Sequence, residues 1–203
     1  SGDQIEIHDA PQIVAMDESP SVVLKTKPDS SLVTCVALQK KGAVTASVSA
    51  GNSGAMMAAC LMVLGRIGKI SRPSIGCLMP SSNGQFVLTD CGANMDEKAT
   101  TLVDFAVCGS VFAEVALGKK EPTVGLLNVG EEEKKGPEVV QEAHQLLKNA
   151  PINFIGNVEG GDLLKGETDV IVTSGFSGNV ILKLMESFYY YHKNLFGDID
   201  SDA

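Results

Sequence analysis

Short apolar, β-branched runs recur along the chain, with helical patterns between them. The strand-like runs are Ala43–Ser49, Ser74–Met79, Phe86–Thr89, Thr123–Val129, Ile152–Ile155 and Asp169–Thr173, and Ile5–His8 reads as one more. Apolar residues spaced three and four apart predict helices over Ser31–Lys40, Ser53–Leu64, Thr100–Ala116, Pro137–Asn149 and Gly178–Tyr191, with Pro137 suited to a first helical turn. Runs such as Val124-Gly-Leu-Leu-Asn-Val129 and Asp169-Val-Ile-Val-Thr-Ser174 are apolar on both faces, as a parallel strand covered by helices requires. The alternation predicts an α/β fold, a doubly wound and mostly parallel sheet in three αβα layers. The whole chain, 1–203, reads as one such domain.

Ligands of open parallel sheets sit beyond the carboxyl ends of the strands, so the loops there form a search list. They are Ala50–Gly54, Asp90–Asp96, Asn128–Gly136, Gly156–Glu159 and Ser174–Asn179, all rich in Gly, Asn and Ser. Such residues also serve ordinary caps and turns, so one loop alone says little; five on one edge point to a common site. The helix after Asn52 is apolar nearly all round (Met56, Met57, Cys60, Leu61, Met62, Leu64), which predicts burial. A buried helix that starts on a glycine loop offers N–H groups and the positive end of its dipole to an anion, and phosphate is the natural candidate. Gly51 and Gly54 would let the backbone approach, and Asn52 and Ser53 would add side-chain donors. The loop is neither a Walker A motif nor G-x-G-x-x-G. The turn carrying Ser177, Gly178 and Asn179 repeats the arrangement.

Lys134 and Lys135 follow three glutamates and on a bland reading form a solvated loop. At this edge, however, a lysine can neutralise and orient an anion. Asp90 either binds a metal, polarises a lysine or orders its own turn; Asn94 and Asn128 lie in the same loops as candidate binding residues. His8, His144 and His192 have no metal-ligand spacing, His144 reads as a helix-surface residue, and no metal site is expected. Ser177 sits in G-F-S-G rather than G-x-S-x-G and has no convincing His/Asp partners, which disfavours a serine nucleophile.

Composition narrows the class. At 203 residues and 44% hydrophobic the chain can bury a sizeable core. A net charge of -9 and pI near 4.8 argue against a broad nucleic-acid footprint, which needs clustered cations. Five cysteines without a C-x-x-C pair, mostly in apolar runs, fit small buried hydrophobes in a reducing cytosol. The longest apolar stretch, Ala55–Leu64, is too short to span a bilayer. Arg66, Lys69 and Arg72 form a basic patch suited to partner docking. Ser1-Gly2 reads as a cloning remnant, and the abrupt start and acidic tail Asp198–Ala203 read as parts of a longer protein.

In this order, SVSAGNSGA, DCGAN, GLLNVGEEEKKG, NFIGNVEG and GFSGNVILK resemble the PlsX family, the bacterial phosphate acyltransferases of phospholipid synthesis; the upstream MDESP and KPDSSL are similar as well. The resemblance runs from about Ile5 to Leu184. It implies an isocitrate/isopropylmalate dehydrogenase-like fold and transfer of a fatty acyl group from acyl-acyl carrier protein to inorganic phosphate, without cofactor or metal. Lys134 and Asn179 look catalytic by motif, with Gly51–Gly54 and Lys134 expected to hold phosphate and Asn179 to stabilise an oxyanion. It also implies a homodimer in the cytoplasm, associated with the inner face of the membrane. The sequence departs from the family at Ser174, where Asp is frequent, and at Phe188-Tyr-Tyr-Tyr191; the family's N-terminal Asp-Ala-Met-Gly-Gly-Asp unit and C-terminal Gly-Gly segment are absent. Three alternatives stay open: a phosphotransacetylase-like enzyme, an NAD-dependent decarboxylating dehydrogenase of the same fold, and a non-catalytic scaffold that binds carrier protein.

Overall fold

The computed structural model describes residues 5–197, so Ser1-Gly2 and Asp198–Ala203 lie outside the described residues. Beside the single domain expected from the sequence stands a chain of two compact units, Ser1–Pro73 and Ser74–Ala203.

The first unit is helical. α1 (Pro20–Thr26) begins with Pro at its first position, where the missing N–H costs nothing. α2 (Ser31–Lys40) is capped by the buried Ser30, whose hydroxyl accepts from the Val33 N–H. α3 (Ser53–Ala59) runs on into a single π turn over Cys60–Leu64, which ends at Gly65 with φ +91°. Val23, Leu32, Val36, Ala55 and Ala59 form the core of this unit. The expected burial of the helical run through Leu64 nearly all round is therefore corrected: Ala55 and Ala59 of α3 face the core, while Met62 in the π turn is 75% exposed. Two expected strands are absent as well. Ile5–His8 and Ala43–Ser49 form no ladder, because no neighbouring strand in this unit supplies the partner that extended backbone needs.

The second unit holds a five-stranded sheet: β1 (Gly76–Ser81), β2 (Gly84–Thr89), β3 (Thr123–Leu127), β4 (Asn153–Val158) and β5 (Val170–Val172), in spatial order β1-β2-β5-β3-β4. Only the edge strand β1 is antiparallel, joined to β2 by a tight turn at Ser82-Asn83 ahead of Gly84, φ +115°. β2, β5, β3 and β4 run parallel, so their carboxyl ends share one edge. On one face Val87, Val124, Leu126, Val170 and Val172 pack against α4 (Ala99–Leu117) and α5 (Glu138–Leu147); on the other Phe86, Leu88 and Ile171 pack against Ile181, Leu182 and Met185 of α6 (Gly175–Phe196). This gives the expected three αβα layers.

α4 is long and apolar enough to cross a membrane, which corrects the expectation that the chain has no such stretch. It is a core helix here. Leu102, Phe105, Ala106 and Ala113 are buried against the sheet and α5, and a Cβ at Gly109 would come within 2.7 Å of Val170 Cγ1. Gly109→Ala raises intrinsic helix propensity by about 1 kcal/mol, but a stiff β-branched neighbour cannot yield. We expect a net destabilisation of about 1–2 kcal/mol in urea unfolding.

Candidate active site

β5 lies between β2 and β3, so the loops leaving these three strands are neighbours although their sequences are far apart. The centre of the edge is the start of α6. Ser174 caps it, its Oγ accepting from the Ser177 N–H at 3.1 Å and meeting Ser177 Oγ at 3.0 Å. Ser177 is thus engaged in the cap, with no histidine or carboxylate recorded as a partner among the described residues.

The loop after β2 is laid directly on this helix start. Asp90, fully buried, accepts four N–H groups: Ile75 N (2.9 Å) and Ala93 N (3.1 Å) on Oδ1, Asn94 N (2.7 Å) and Asn94 Nδ2 (2.9 Å) on Oδ2. Of its three roles open from sequence, ordering its own turn is the one these contacts describe. The Thr89–Asp90 peptide bond is cis. A Cβ at Gly175 would overlap the Asn94 carbonyl and one at Gly178 the Asp90 carbonyl, so the two glycines permit the close approach. Glu97 Oε1 accepts from the Gly175 N–H at 2.6 Å, and Asn179 packs against Gly92, which has φ +106°. Gly92, Glu97 and Gly175 escaped the sequence reading; the Asp-Cys-Gly-Ala-Asn segment was legible, but nothing local tells which helix it touches.

Cys91 is buried behind this loop and gives its S–H to the Leu88 carbonyl at 3.3 Å. The described cysteines are all free, as thiols serving as small hydrophobes should be.

The loop after β3 is closed by its own side chains. Asn128 Nδ2 donates to the Lys135 carbonyl (3.0 Å) while its Oδ1 takes the Val129 N–H (2.8 Å), and Gly136 (φ +77°) leaves room for that amide. Asn157, from β4, donates to the carbonyls of Glu131 (3.4 Å) and Glu132 (3.0 Å). Glu133 pairs with Lys148 and accepts from Gln145 (3.0 Å), and these donors hold its carboxyl down to about 2. Lys135 stands 4.0 Å from Glu132. Lys134 is exposed and has no ion pair among the described residues.

His144 corrects the sequence reading. It is not a helix-surface residue but only 3% exposed, its Nδ1 2.8 Å from Asn157 Oδ1, its ring edge-on to Phe154 and its Nε2 3.7 Å from Glu133.

In the first unit, the Asn52 side chain is committed. Its Oδ1 caps α3 through the Ala55 N–H (3.0 Å), and its Nδ2 donates to the carbonyls of Ala15 (3.3 Å), Met16 (3.1 Å) and Glu18 (3.1 Å), pinning the MDESP segment. Gly54 lies against Pro20, where a Cβ would come within 2.8 Å of Cγ. What this turn retains for an anion is first-turn N–H groups without intrahelical acceptors, with exposed Gly51 and Ser53 beside them. Arg66, Lys69 and Arg72 are exposed beyond the π turn. Among the described residues no group of three or more metal-ligating side chains occurs.

A family model described as fatty acid synthesis protein matches residues 1–200. The chain belongs to the PlsX family. It is 47% identical over 195 residues to a phosphate acyltransferase of Heliobacterium modesticaldum, covering 96% of this chain and 58% of that protein. It is 50% identical over 177 residues to one of Desulforudis audaxviator, covering 87% and 53%. The chain therefore spans a little over half the length of the relatives it matches. The fold is shared with the EutD phosphotransacetylase of Staphylococcus aureus (TM-score 0.58, 19% identity, 79% of this chain and 56% of that one) and a branched-chain phosphotransacylase of Enterococcus faecalis (0.58, 19%, 82% and 64%).

Removing the Asp90 carboxylate leaves four donors facing an apolar gap. Asp90→Ala is expected to lower stability by about 2–4 kcal/mol in urea unfolding, because four N–H donors lose their acceptor at once.

Proposed function

We propose that this PlsX family member transfers a fatty acyl group from acyl-acyl carrier protein to inorganic phosphate. One phosphate oxygen attacks the thioester carbonyl carbon, a C–O bond forms, the C–S bond breaks, and the carrier thiolate leaves and takes up a proton. The products are acyl-phosphate and free carrier protein. A thioester is already activated, so the reaction needs charge neutralisation and alignment rather than a cofactor or metal.

The observation that carries this reading is Lys134, an ammonium with no ion pair among the described residues, on a loop held by Asn128, Asn157 and Glu133 at the carboxyl edge of a parallel sheet. Held there, the ammonium neutralises phosphate and lowers the repulsion between it and the developing oxyanion. Asn179, the fifth residue of α6, which follows the adjacent strand β5, supplies an amide donor to that oxyanion. Lys135, Ser177 and Gly178 flank these two groups and line the same edge. The N–H groups at Ser53 and Gly54 are an anion-binding feature of the first unit in their own right.

A homodimer and peripheral attachment to the inner face of a cytoplasmic membrane belong to the same proposal. In support, α6 exposes Phe176, Val180, Leu184, Phe188, Tyr191 and Leu195, spaced three or four apart as one apolar stripe. Carrier protein is acidic in this reading, and Arg66, Lys69 and Arg72 are the basic patch that would receive it.

Lys134→Ala is expected to cut phosphate-dependent loss of acyl thioester by at least about a hundredfold with unfolding unchanged; a rate close to wild type would remove Lys134 from the reaction. Charge reversal at Arg66, Lys69 and Arg72 together should raise the apparent KM for carrier protein several-fold while leaving the KM for phosphate alone.

A further inference from the structure

We propose that His144 is a positioning residue which, through Asn157, fixes the backbone that presents Lys134. The inference rests on the reading of Lys134 given above.

The hydrogen bonds determine their own directions. Asn157 Nδ2 donates to two backbone carbonyls, of Glu131 and Glu132, and a carbonyl can only accept. The amide's other atom, Oδ1, is therefore the one facing His144 Nδ1 at 2.8 Å, and an oxygen there requires Nδ1 to carry a proton. His144 thus donates, Asn157 relays, and the loop carbonyls receive. The relay is buried, with His144 3% and Asn157 9% exposed, so water does not readily replace either member.

The second nitrogen of the ring faces the same loop from another side. His144 Nε2 lies 3.7 Å from Glu133, beyond hydrogen-bond reach, and that carboxylate is held by Gln145 and Lys148 from the same helix end as His144. All three are residues of α5 or its C-cap, and Asn157 is on β4, so the segment Glu131–Glu133 is tied to two elements of the scaffold at once. Asn128 holds the Lys135 carbonyl from β3's end. Lys134 is the residue between these anchored neighbours, and its Cα position is inherited from theirs.

The edge-on ring of Phe154 fixes the remaining freedom of the imidazole. Neither partner is reachable by local sequence logic, since His144 and Asn157 stand 13 residues apart on different elements.

Three variants of the intact protein separate the donor from the bulk. His144→Phe keeps an aromatic ring but removes the Nδ1 donor; His144→Asn places an amide N–H near the Nδ1 position; Asn157→Asp keeps an acceptor for His144 and removes the donor to the loop. Steady-state assays with acyl-acyl carrier protein and inorganic phosphate are combined with hydrogen exchange of residues 129–136. His144→Phe and Asn157→Asp should each lower kcat/KM for phosphate by about ten- to a hundredfold, the scale of a misplaced reacting group. The KM for acyl-acyl carrier protein should move by less than about twofold and exchange should quicken in 129–136, with His144→Asn recovering most of both losses. If His144→Phe does not fold, Asn157→Asp decides by the same readouts. Unchanged phosphate kinetics and loop exchange in Asn157→Asp, with Lys134→Ala inactive, would overturn the inference alone. An active Lys134→Ala would overturn the reading on which it rests, and the exchange data would then still tell whether the relay orders the loop.

Discussion

The centre of the sheet's carboxyl edge depends on how closely the Asp90–Asn94 turn lies on the first turn of α6. The approach is set by two opposite devices: a buried carboxylate that gathers four N–H groups, and two glycines whose absent side chains leave room for the Asp90 and Asn94 carbonyls. Either device alone would fail. Without the carboxylate the turn's donors are unsatisfied; without the glycines the carbonyls have nowhere to go. Because α6 is held from its first residues, Asn179 is placed by the same packing that orders Asp90.

The loop of Lys134 is organised on a different plan. No close-packed backbone holds it; three amides and a set of charges do, drawn from β3, β4 and α5. Within the loop Glu133 is occupied by Lys148 and Gln145, Glu132 stands 4.0 Å from Lys135, and Lys134 is paired with neither. A lysine paired with carboxylate would have to break that pair before it could receive phosphate.

Much of this was legible in the sequence. The helices over Ser31–Lys40 and Pro137–Asn149, the parallel strands and the loops at their ends follow from apolar period and from Gly/Asn/Ser turns, and the doubly wound sheet follows from their alternation. Ala43–Ser49 reads as a strand from its β-branched residues, yet strandness is a property of a pair, and its unit offers no partner. α1 was overlooked although Ser19-Pro20 is a reasonable start signal, because it is only seven residues long. His144 was misread because a polar residue within a helix looks solvated until its acceptor is seen. The roles of Asp90 and Asn52 were ambiguous for the same reason: the sequence shows that a side chain can accept or donate, and only the fold shows what it faces.

The order of the strands carries one more consequence. β5 is three residues long and comes last in the chain, yet it lies in the middle of the sheet, paired with β2 on one side and β3 on the other. Before it is in place, β1-β2 and β3-β4 are two separate ribbons with no ladder between them. The last of the described strands is therefore a keystone rather than an addition, and its two ladders are what bring the loops that carry Asp90, Asn128 and Ser174 side by side. A chain emerging from the ribosome could hold the Lys134 loop on β3, β4 and α5 before β5 joins them, but would lack the Asp90–α6 contact until α6 had followed.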